Sequence, residues 1–301
     1  MSSRLQDAVE TLLRASPNRG DQVLAPLPGV IVSTTTRLRM PSHVVYRPAL
    51  GVVVQGAKQV SVGTRSLVYH AGQALLTRVA VPASGRVIAA SLAQPFLGVS
   101  IELDPAVLQE VLAQLEAPLP PRDAGAGLCV HALPPPVLDC TARIVEAAQQ
   151  GTGAAVLLPT LLRELSYWLL SGATGPDVAA MARPEGALSR VADAVLHLRR
   201  HFREPLRVEA LAAAGSMSES LFYRQFRAVT GLSPLQFQKQ LRLLEARRLL
   251  EARATNVSAA AFAVGYEVSR SSAVSTCGAL GRRPGRRFRM PHRLDSRCSE
   301  H

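Results

Sequence analysis

The stretch from 218 to 242 combines basic and hydroxyl side chains with apolar residues at helical spacing. Phe222 and Phe226 are four residues apart, so they share one helix face and are predicted to be buried. On or near the opposite face, Arg224 can form a bidentate hydrogen bond with guanine and Arg227 can hold a phosphate. The residues predicted to contact DNA are Ser218, Ser220, Tyr223, Arg224, Arg227, Ser233, Lys239 and Arg242. The same pattern also suits a plain helical hairpin with a solvated basic face, and spacing alone leaves both interpretations open.

These side chains need helices to position them, and glycines and capping residues in the sequence mark where several helices begin and end. Gly215 and Gly231 end helices, and Ser218, Ser233 and Ser258 are N-cap candidates. The predicted helices cover 187–202, 207–214, 219–229, 234–252 and 259–263. A short helix, a turn and a second capped helix make a helix-turn-helix, whose second helix can present its N-terminal residues to base edges in the major groove.

The front of the chain, from 27 to 103, is typical of a β protein, because short Val, Ile and Leu runs are broken by Gly and Pro. Residues 58–62 alternate, with Val60 and Val62 on one face. About seven or eight strands in some 75 residues favour a small barrel or sandwich. Beyond Asp104, helices are predicted over 105–116, 135–150 and 156–170. The last is apolar on most faces, which suggests burial within the chain or against a second subunit.

Polar side chains within this β-rich half are candidates for a small-molecule pocket. Tyr46, Gln55 and His70 are the predicted effector-pocket residues, and Lys58 and Tyr69 could line the same pocket. Core or surface roles for these residues remain open alternatives.

Catalytic and metal-binding patterns are missing from the sequence. It contains no P-loop, no G-x-G-x-x-G and no recognisable Ser-His-Asp set, so we predict no catalytic residue and no enzyme activity. His43 and His70 lack companions at metal-ligand spacing, so neither a metal nor another cofactor is expected. The four cysteines, which form no C-x-x-C pair, are Cys129, Cys140, Cys277 and Cys298. We interpret them as free thiols, with redox sensing by Cys129 and Cys140 as the alternative.

Composition limits the class of protein. The 301 residues favour about two domains. A hydrophobic content of 48% excludes a disordered or collagen-like chain. No apolar run reaches membrane-spanning length and no signal peptide is visible, so a cytoplasmic location is expected. A formal net charge of +12 makes nucleic acid the first candidate partner.

Several ordered segments of the C-terminal half carry a family resemblance. They are Leu211-Ala212, Gly215-Ser216-Met217-Ser218, 226–234 (FRAVTGLSP), Leu241-Arg242-Leu243, 246–250 (ARRLL) and Val264-Gly265-Tyr266. Through them, residues 187–266 resemble the AraC family of bacterial transcription regulators. In that family two helix-turn-helix units flank a long connecting helix, and each offers a recognition helix to successive major grooves.

The front half resembles the branch of this family that carries an AraC-type N-terminal domain. The segments that carry the resemblance are 46–50 (YRPAL), 54–58 (VQGAK), 82–85 (PASG) and 103–106 (LDPA). The resemblance implies a one-component regulator with an effector-sensing and dimerising β-barrel. Its implied partners are double-stranded DNA, an unknown small-molecule effector and a second copy of the chain, and RNA polymerase is a further partner that such a role allows.

After Glu267 the resemblance stops. Family members continue with a helix of the type S-Q-F-S-R-x-F/Y, whereas 269–278 reads SRSSAVSTCG and lacks an apolar stripe. Residues 270–276 can be encoded by CGC-AGT-TCA-GCC-GTG-AGT-ACN, and the same string read two bases later gives Q-F-S-R-E-Y. We therefore hypothesise that the tail from about residue 268 is a frameshifted second helix-turn-helix. Its eight arginines and two acidic residues carry +6, half of the net charge.

The sequence thus predicts an α+β protein with two domains. A small cupin-like N-terminal β-barrel with helices would span 22–172, a linker 173–186, and an all-α helix-turn-helix domain 187–290, degraded after about 267. The predicted function is sequence-specific transcription regulation with an intact first and a defective second helix-turn-helix. Two alternatives are a cupin-like barrel enzyme and a non-sensing dimerisation module, each with a helical appendage.

Overall fold

A computed structural model describes residues 3–16, 20–38, 42–116, 119, 125–252 and 256–266. The strands of this part are β1 Gln22–Leu27, β2 Val30–Thr35, β3 Ser42–Tyr46, β4 Ala49–Gln55, β5 Ala57–Val62, β6 Arg65–His70, β7 Gln73–Thr77, β8 Val81–Ala89, β9 Phe96–Glu102 and β10 Leu128–Ala132. Its α-helices are α1 Ser3–Ala15, α2 Pro105–Leu112, α3 Pro135–Ala147, α4 Ala154–Ser171, α5 Gly175–Ala182, α6 Ala187–Arg200, α7 Val208–Ala214, α8 Glu219–Thr230, α9 Pro234–Glu251 and α10 Val257–Ala263. None of the described helices is long and apolar enough to cross a membrane.

The strands form two antiparallel sheets, and the expected closed barrel is not formed by the described residues. The larger sheet has the order β1-β2-β9-β4-β7-β10, and the smaller has the order β3-β8-β5-β6. The prediction missed β10, which follows α2 in the chain and pairs with β7 at the edge of the larger sheet. The α+β class is confirmed, with two sheets in place of the barrel.

Strand β5 buries one face, as its alternating sequence predicts, whereas β4, β7 and β9 are buried along nearly their whole length. In β5, Val60 and Val62 are 1% and 6% exposed, whereas Gln59 and Ser61 point outward and bond with Ser66 on β6. Helix α1 contacts β4 of the larger sheet and packs on α3, and α4 packs on α2 and α3. Apolar burial of this kind stabilises a fold by about 25 cal/mol per Å² removed from water.

The segment predicted as a linker, 173–186, contains helix α5. Val178 and Ala179 are fully buried in it, and the helix packs against α2 and α4. The described residues up to Tyr266 belong to one compact unit, and the boundaries of the two domains within it stay a prediction.

The C-terminal helices follow local capping signals. The Ser218 hydroxyl accepts a hydrogen bond from the Leu221 amide at 3.4 Å, and Gly231 ends α8 in the left-handed conformation at φ 73°. Ser233 caps α9 in a full capping box with Gln236. The prediction for α10 was wrong by two residues, because the Asn256 carboxamide rather than Ser258 caps it, at 2.9 Å from the Ala259 amide.

Candidate functional site

Helix α8 presents a polar face to solvent. Phe222 and Phe226 are fully buried, with ring centroids 5.4 Å apart, and anchor the opposite side of the helix. Tyr223 is 44% exposed, and Arg224 and Arg227 are exposed. Within the described ranges neither guanidinium is paired with a carboxylate, so both can accept an external anion. Ser218 and Ser220 lie at the N-terminal end of this face.

Helix α9 divides the remaining predicted DNA contacts into two kinds. Lys239 is exposed, and Ser233 caps the helix start. The Arg242 guanidinium is hydrogen-bonded to backbone carbonyls of the chain. Its Nε donates to the Phe202 carbonyl at 2.7 Å, and Nη1 donates to the Gly265 carbonyl at 2.9 Å. We therefore leave Arg242 out of the DNA-contacting face proposed below.

A cavity of about 220 Å³ opens between the two sheets. Polar groups and apolar walls both line it, among them Val44, Tyr46, Lys58, Gly85, Val87 and Phe96. The backbone of β8 makes room for the polar pair, because a Cβ at Gly85 would overlap the Tyr46 hydroxyl and lie 3.5 Å from Lys58 Cε. Tyr46 and Lys58 therefore meet at Gly85.

The electrostatics of this cavity are unusual for a β-sheet interior. The Lys58 ammonium lies 5.6 Å from the centre of the Tyr46 ring, a cation–π contact. Burial lowers the pKa of Lys58, and burial raises the pKa of Tyr46 to about 12. Among the described residues no carboxylate is within ion-pair distance of Lys58, so its charge has only the Tyr46 ring for compensation.

The structure brings together some of the predicted pocket residues and separates others. Tyr46 lines the cavity together with Lys58. Gln55 is engaged elsewhere, donating to the Pro95 carbonyl at 2.7 Å and accepting from Gln6 at 3.1 Å. His70 is exposed on β6, away from the lining. Phe96 and Gly85 were missed because only the strand register and the packing of the two sheets bring them to the same cavity as Lys58.

A second, larger cavity of about 440 Å³ lies between β3 and helices α6 and α9. Two of its arginines already have partners. Arg248 pairs with Glu245 at 2.8 Å and Arg247 pairs with Glu251 at 2.5 Å. Their charges are compensated, in contrast to that of Lys58.

The β-sheets contact the end of α8 directly. The Gly127 amide, just before β10, donates a hydrogen bond to the Val229 carbonyl at 2.7 Å. On the other side of the contact, Gly63 approaches so closely that a Cβ there would lie 2.8 Å from the Gly231 carbonyl oxygen. Val62 of β5 also lies against Gly231. Strand β5 thus carries Lys58 at one end and touches the turn after α8 at the other.

A polar cluster joins β10 to α5. Arg78 and Asp177, whose side chains are 1% and 7% exposed, form an ion pair at 3.2 Å, and His131 Nε2 lies 3.2 Å from the other Asp177 oxygen. Cys129, His131 and Asp177 each place one potential ligand atom within 4.8 Å of the others. Sequence reasoning missed this group, since the aspartate comes from a helix far along the chain. Because the Arg78 guanidinium is buried beside Asp177, we interpret the cluster as a structural ion-pair network.

The thiol of Cys140 lies in an environment that disfavours its reactive form. Cys140 is fully buried, and its Sγ approaches the Leu161 carbonyl at 3.4 Å. Burial is the main reason that the pKa of Cys140 is raised to about 12, followed by the nearby Glu164 carboxylate. Because the thiolate is the reactive form, this environment disfavours redox sensing by Cys140.

Comparisons with known proteins agree with this arrangement. Residues 26–177 match the family described as AraC-type transcriptional regulator N-terminus, and residues 211–284 match a helix-turn-helix domain family. The second match runs past Glu267 into the tail, which lies outside the described residues. No curated protein matches the chain.

Solved structures show the same fold at low sequence identity. A variant of ToxT from Vibrio cholerae, without ligand, is 9% identical, with a TM-score of 0.51 over 82% of this chain and 90% of that one. Wild-type ToxT from Vibrio cholerae with a bound unsaturated fatty acid is also 9% identical, with a TM-score of 0.51 over 83% of this chain and 88% of that one. The N-terminal family match covers half of the chain and precedes a helix-turn-helix match, and the chain therefore belongs to the family of AraC-type transcriptional regulators.

Proposed function

We propose that this chain is a one-component transcriptional regulator in which a small molecule, held between the two β-sheets, controls DNA binding by helix α8. One observation carries the proposal: strand β5 lines the cavity with Lys58 and reaches the turn after α8 with Val62. The four residue steps from Lys58 to Val62 span about 13 Å of extended chain. The fatty acid in the ToxT structure supports a small-molecule effector for this fold.

On the DNA side, α8 enters the major groove with its exposed face. Arg224 reads a guanine edge, Tyr223 and Ser220 contact neighbouring groups, and Arg227 and Lys239 hold phosphates. The Ser233 end of α9 adds helix N-terminal amides that favour a phosphate. This assignment distinguishes the regulator from a helical hairpin with an ordinary solvated face, which would bind no preferred sequence.

The experiment begins with a duplex selected by the full chain from a random pool, because selection itself requires sequence preference. Arg224→Ala is expected to weaken binding to this duplex by about 1–3 kcal/mol. Arg14→Ala, the same truncation at an exposed arginine of α1, is the matched control and is expected to bind normally. Failure to enrich any sequence, or equal affinity of the two variants, would contradict the proposed role of α8.

Dimerisation is part of the proposal. Helix α4 leaves Val156 76% exposed, Leu157 45% exposed and Tyr167 44% exposed, which supports a partner subunit on this face. Sedimentation equilibrium is expected to give twice the chain mass, and Val156→Glu to give the monomer. A monomeric wild-type chain would remove dimerisation from the proposed function.

The remaining elements follow from regulation of transcription. We propose a cytoplasmic location, contact with RNA polymerase at the promoter, and no enzyme activity. The tail beyond Glu267 is proposed to be a frameshifted second helix-turn-helix, which resequencing of the gene tests. An intact reading frame, with a matching C-terminal peptide mass, would reject the frameshift.

A further inference from the structure

Lys58 occupies a position that its strand pattern reserves for apolar residues. It shares the inward face of β5 with Val60 and Val62, which are almost completely buried. Moving an ammonium group from water into such a place is costly unless an opposite charge meets it. The protein supplies the Tyr46 ring at 5.6 Å, and no carboxylate among the described residues. Within the described part of the chain, this cation therefore has no acidic partner, and a bound anion would supply one.

Three other polar side chains of the cavity lining already have partners within the protein. Arg86 donates to the Gln59 carboxamide at 2.7 Å, and Thr35 bonds with the backbone of Arg37 at 3.2 Å. The Ser33 hydroxyl is directed to the Gly98 carbonyl at 3.5 Å. Arg86 is exposed to solvent, so Lys58 is the one cation of the described lining that is withdrawn from water without an acidic partner, which suits a single negative charge better than a phosphate dianion.

We propose that the cavity binds a small organic monocarboxylate, with the Lys58 ammonium and the Tyr46 hydroxyl as donors to its oxygens and Val44, Val87 and Phe96 against its carbon skeleton. This inference rests on the proposed function for its regulatory meaning, since it names the class of effector. The volume of about 220 Å³ restricts the ligand to few heavy atoms, because pockets for drug-sized molecules begin near 300 Å³. The lowered pKa of Lys58 agrees with a site that is completed by the ligand's charge.

The chain offers a direct test, because Lys58 and Lys239 are its only lysines. Protein labelled with ¹³C at the lysine ε-carbon gives two signals, assigned with Lys58→Met and Lys239→Met. Butyrate, benzoate and phenylacetate are titrated, and the matching amides serve as neutral probes of the same shape. Lys239 is exposed on α9 and reports binding of anions to the surface.

At least one carboxylate is expected to shift the Lys58 signal saturably while Lys239 stays in place, and its amide is expected to be inert. Lys58→Met should weaken carboxylate binding, measured by calorimetry, by roughly 10- to 100-fold, and Lys239→Met should not change it. Tyr46→Phe should weaken it by roughly fivefold, because the ring stays and one donor is lost.

Two outcomes would overturn the inference: no saturable Lys58 shift with any carboxylate, or equal shifts by carboxylate and amide. The proposed function is judged on the same samples by their affinity for the selected duplex. Carboxylate binding at Lys58 that leaves DNA affinity unchanged would keep the ligand class and reject the regulatory role.

Discussion

Substitution of Arg242 tests whether this arginine stabilises the fold or contacts DNA. Its guanidinium ties the end of α6 to the residues after α10, through the Phe202 carbonyl at 2.7 Å and the Gly265 carbonyl at 2.9 Å. Its Nη2 donates to the carbonyls of Arg203 and Glu204, both at 3.1 Å. Arg242→Ala removes all four bonds and leaves four carbonyls to find water.

The expected loss follows from the exposure of each bond. Two partly buried charged bonds contribute about 1 kcal/mol each, and the two exposed bonds together contribute somewhat less. Arg242→Ala is therefore expected to lower the free energy of unfolding by about 2–3 kcal/mol. Arg242→Lys keeps the charge and a single donor, so about half of this loss is expected. Arg224→Ala, at the exposed face of α8, should change it by less than about 0.5 kcal/mol.

Urea unfolding followed by far-UV circular dichroism measures these differences, and amide exchange over 257–263 reports on α10 separately. Loss of the Gly265 contact should speed exchange in α10 before the rest of the chain unfolds. An unfolding free energy within about 0.5 kcal/mol of wild type would refute the reasoning. Weaker DNA binding by Arg242→Ala at unchanged stability would return Arg242 to the DNA-contacting face.

Three further predictions test other parts of the molecule. The folded pKa of Lys58 lies below its unfolded value, so the unfolded chain binds more protons and stability should rise with pH on the approach to the unfolded lysine pKa of about 10.4; Lys58→Met should be more stable at pH 7 and lack this rise in urea titrations. Asp177→Asn removes the carboxylate partner of the buried Arg78 guanidinium and should cost about 3 kcal/mol of unfolding free energy by the same method, whereas Asp139→Asn, in surface pairs with Arg4 and Arg143, should cost less than about 1 kcal/mol; equal losses would contradict the argument. Restoring the proposed reading frame should raise the ratio of specific to non-specific DNA affinity in fluorescence anisotropy, because a second groove is read, and an unchanged ratio would count against the frameshift.

Local signals in the sequence predicted the helix-turn-helix well. Ser218 and Ser233 cap α8 and α9 as predicted, since an N-cap depends on residues only two or three positions away. The error at α10 has the same origin, because Asn256 and Ser258 are both competent caps and the helix uses the earlier one. Capping residues in a sequence indicate where a helix begins, but they do not show which of two neighbouring N-cap candidates is used.

The candidate cavity shows where sequence reasoning ends. Alternation along β5 indicates that Lys58 shares a face with Val60, but it cannot reveal which strands lie opposite. The register of β8 on β5 places Gly85 beside Val60, and that of β3 on β8 places Ser42 beside Gly85. These long-range pairings created the room that Tyr46 and Lys58 fill. Gln55 and His70 have suitable chemistry for a pocket, and the same pairings point them elsewhere.

Switching by a ligand would act through the contact between the sheets and α8. This contact includes one backbone hydrogen bond, from Gly127 to Val229, and the close approach of Val62 and Gly63 to Gly231, and Leu67 and Leu128 border the same space. A ligand changes such an equilibrium only by its difference in affinity for the two arrangements. A carboxylate at Lys58 satisfies that condition if β5 shifts when its buried charge is neutralised, because the same strand ends at the contact. A net hydrogen bond contributes about 1 kcal/mol, so a tenfold difference in affinity between the two arrangements, about 1.4 kcal/mol, would outweigh that one bond.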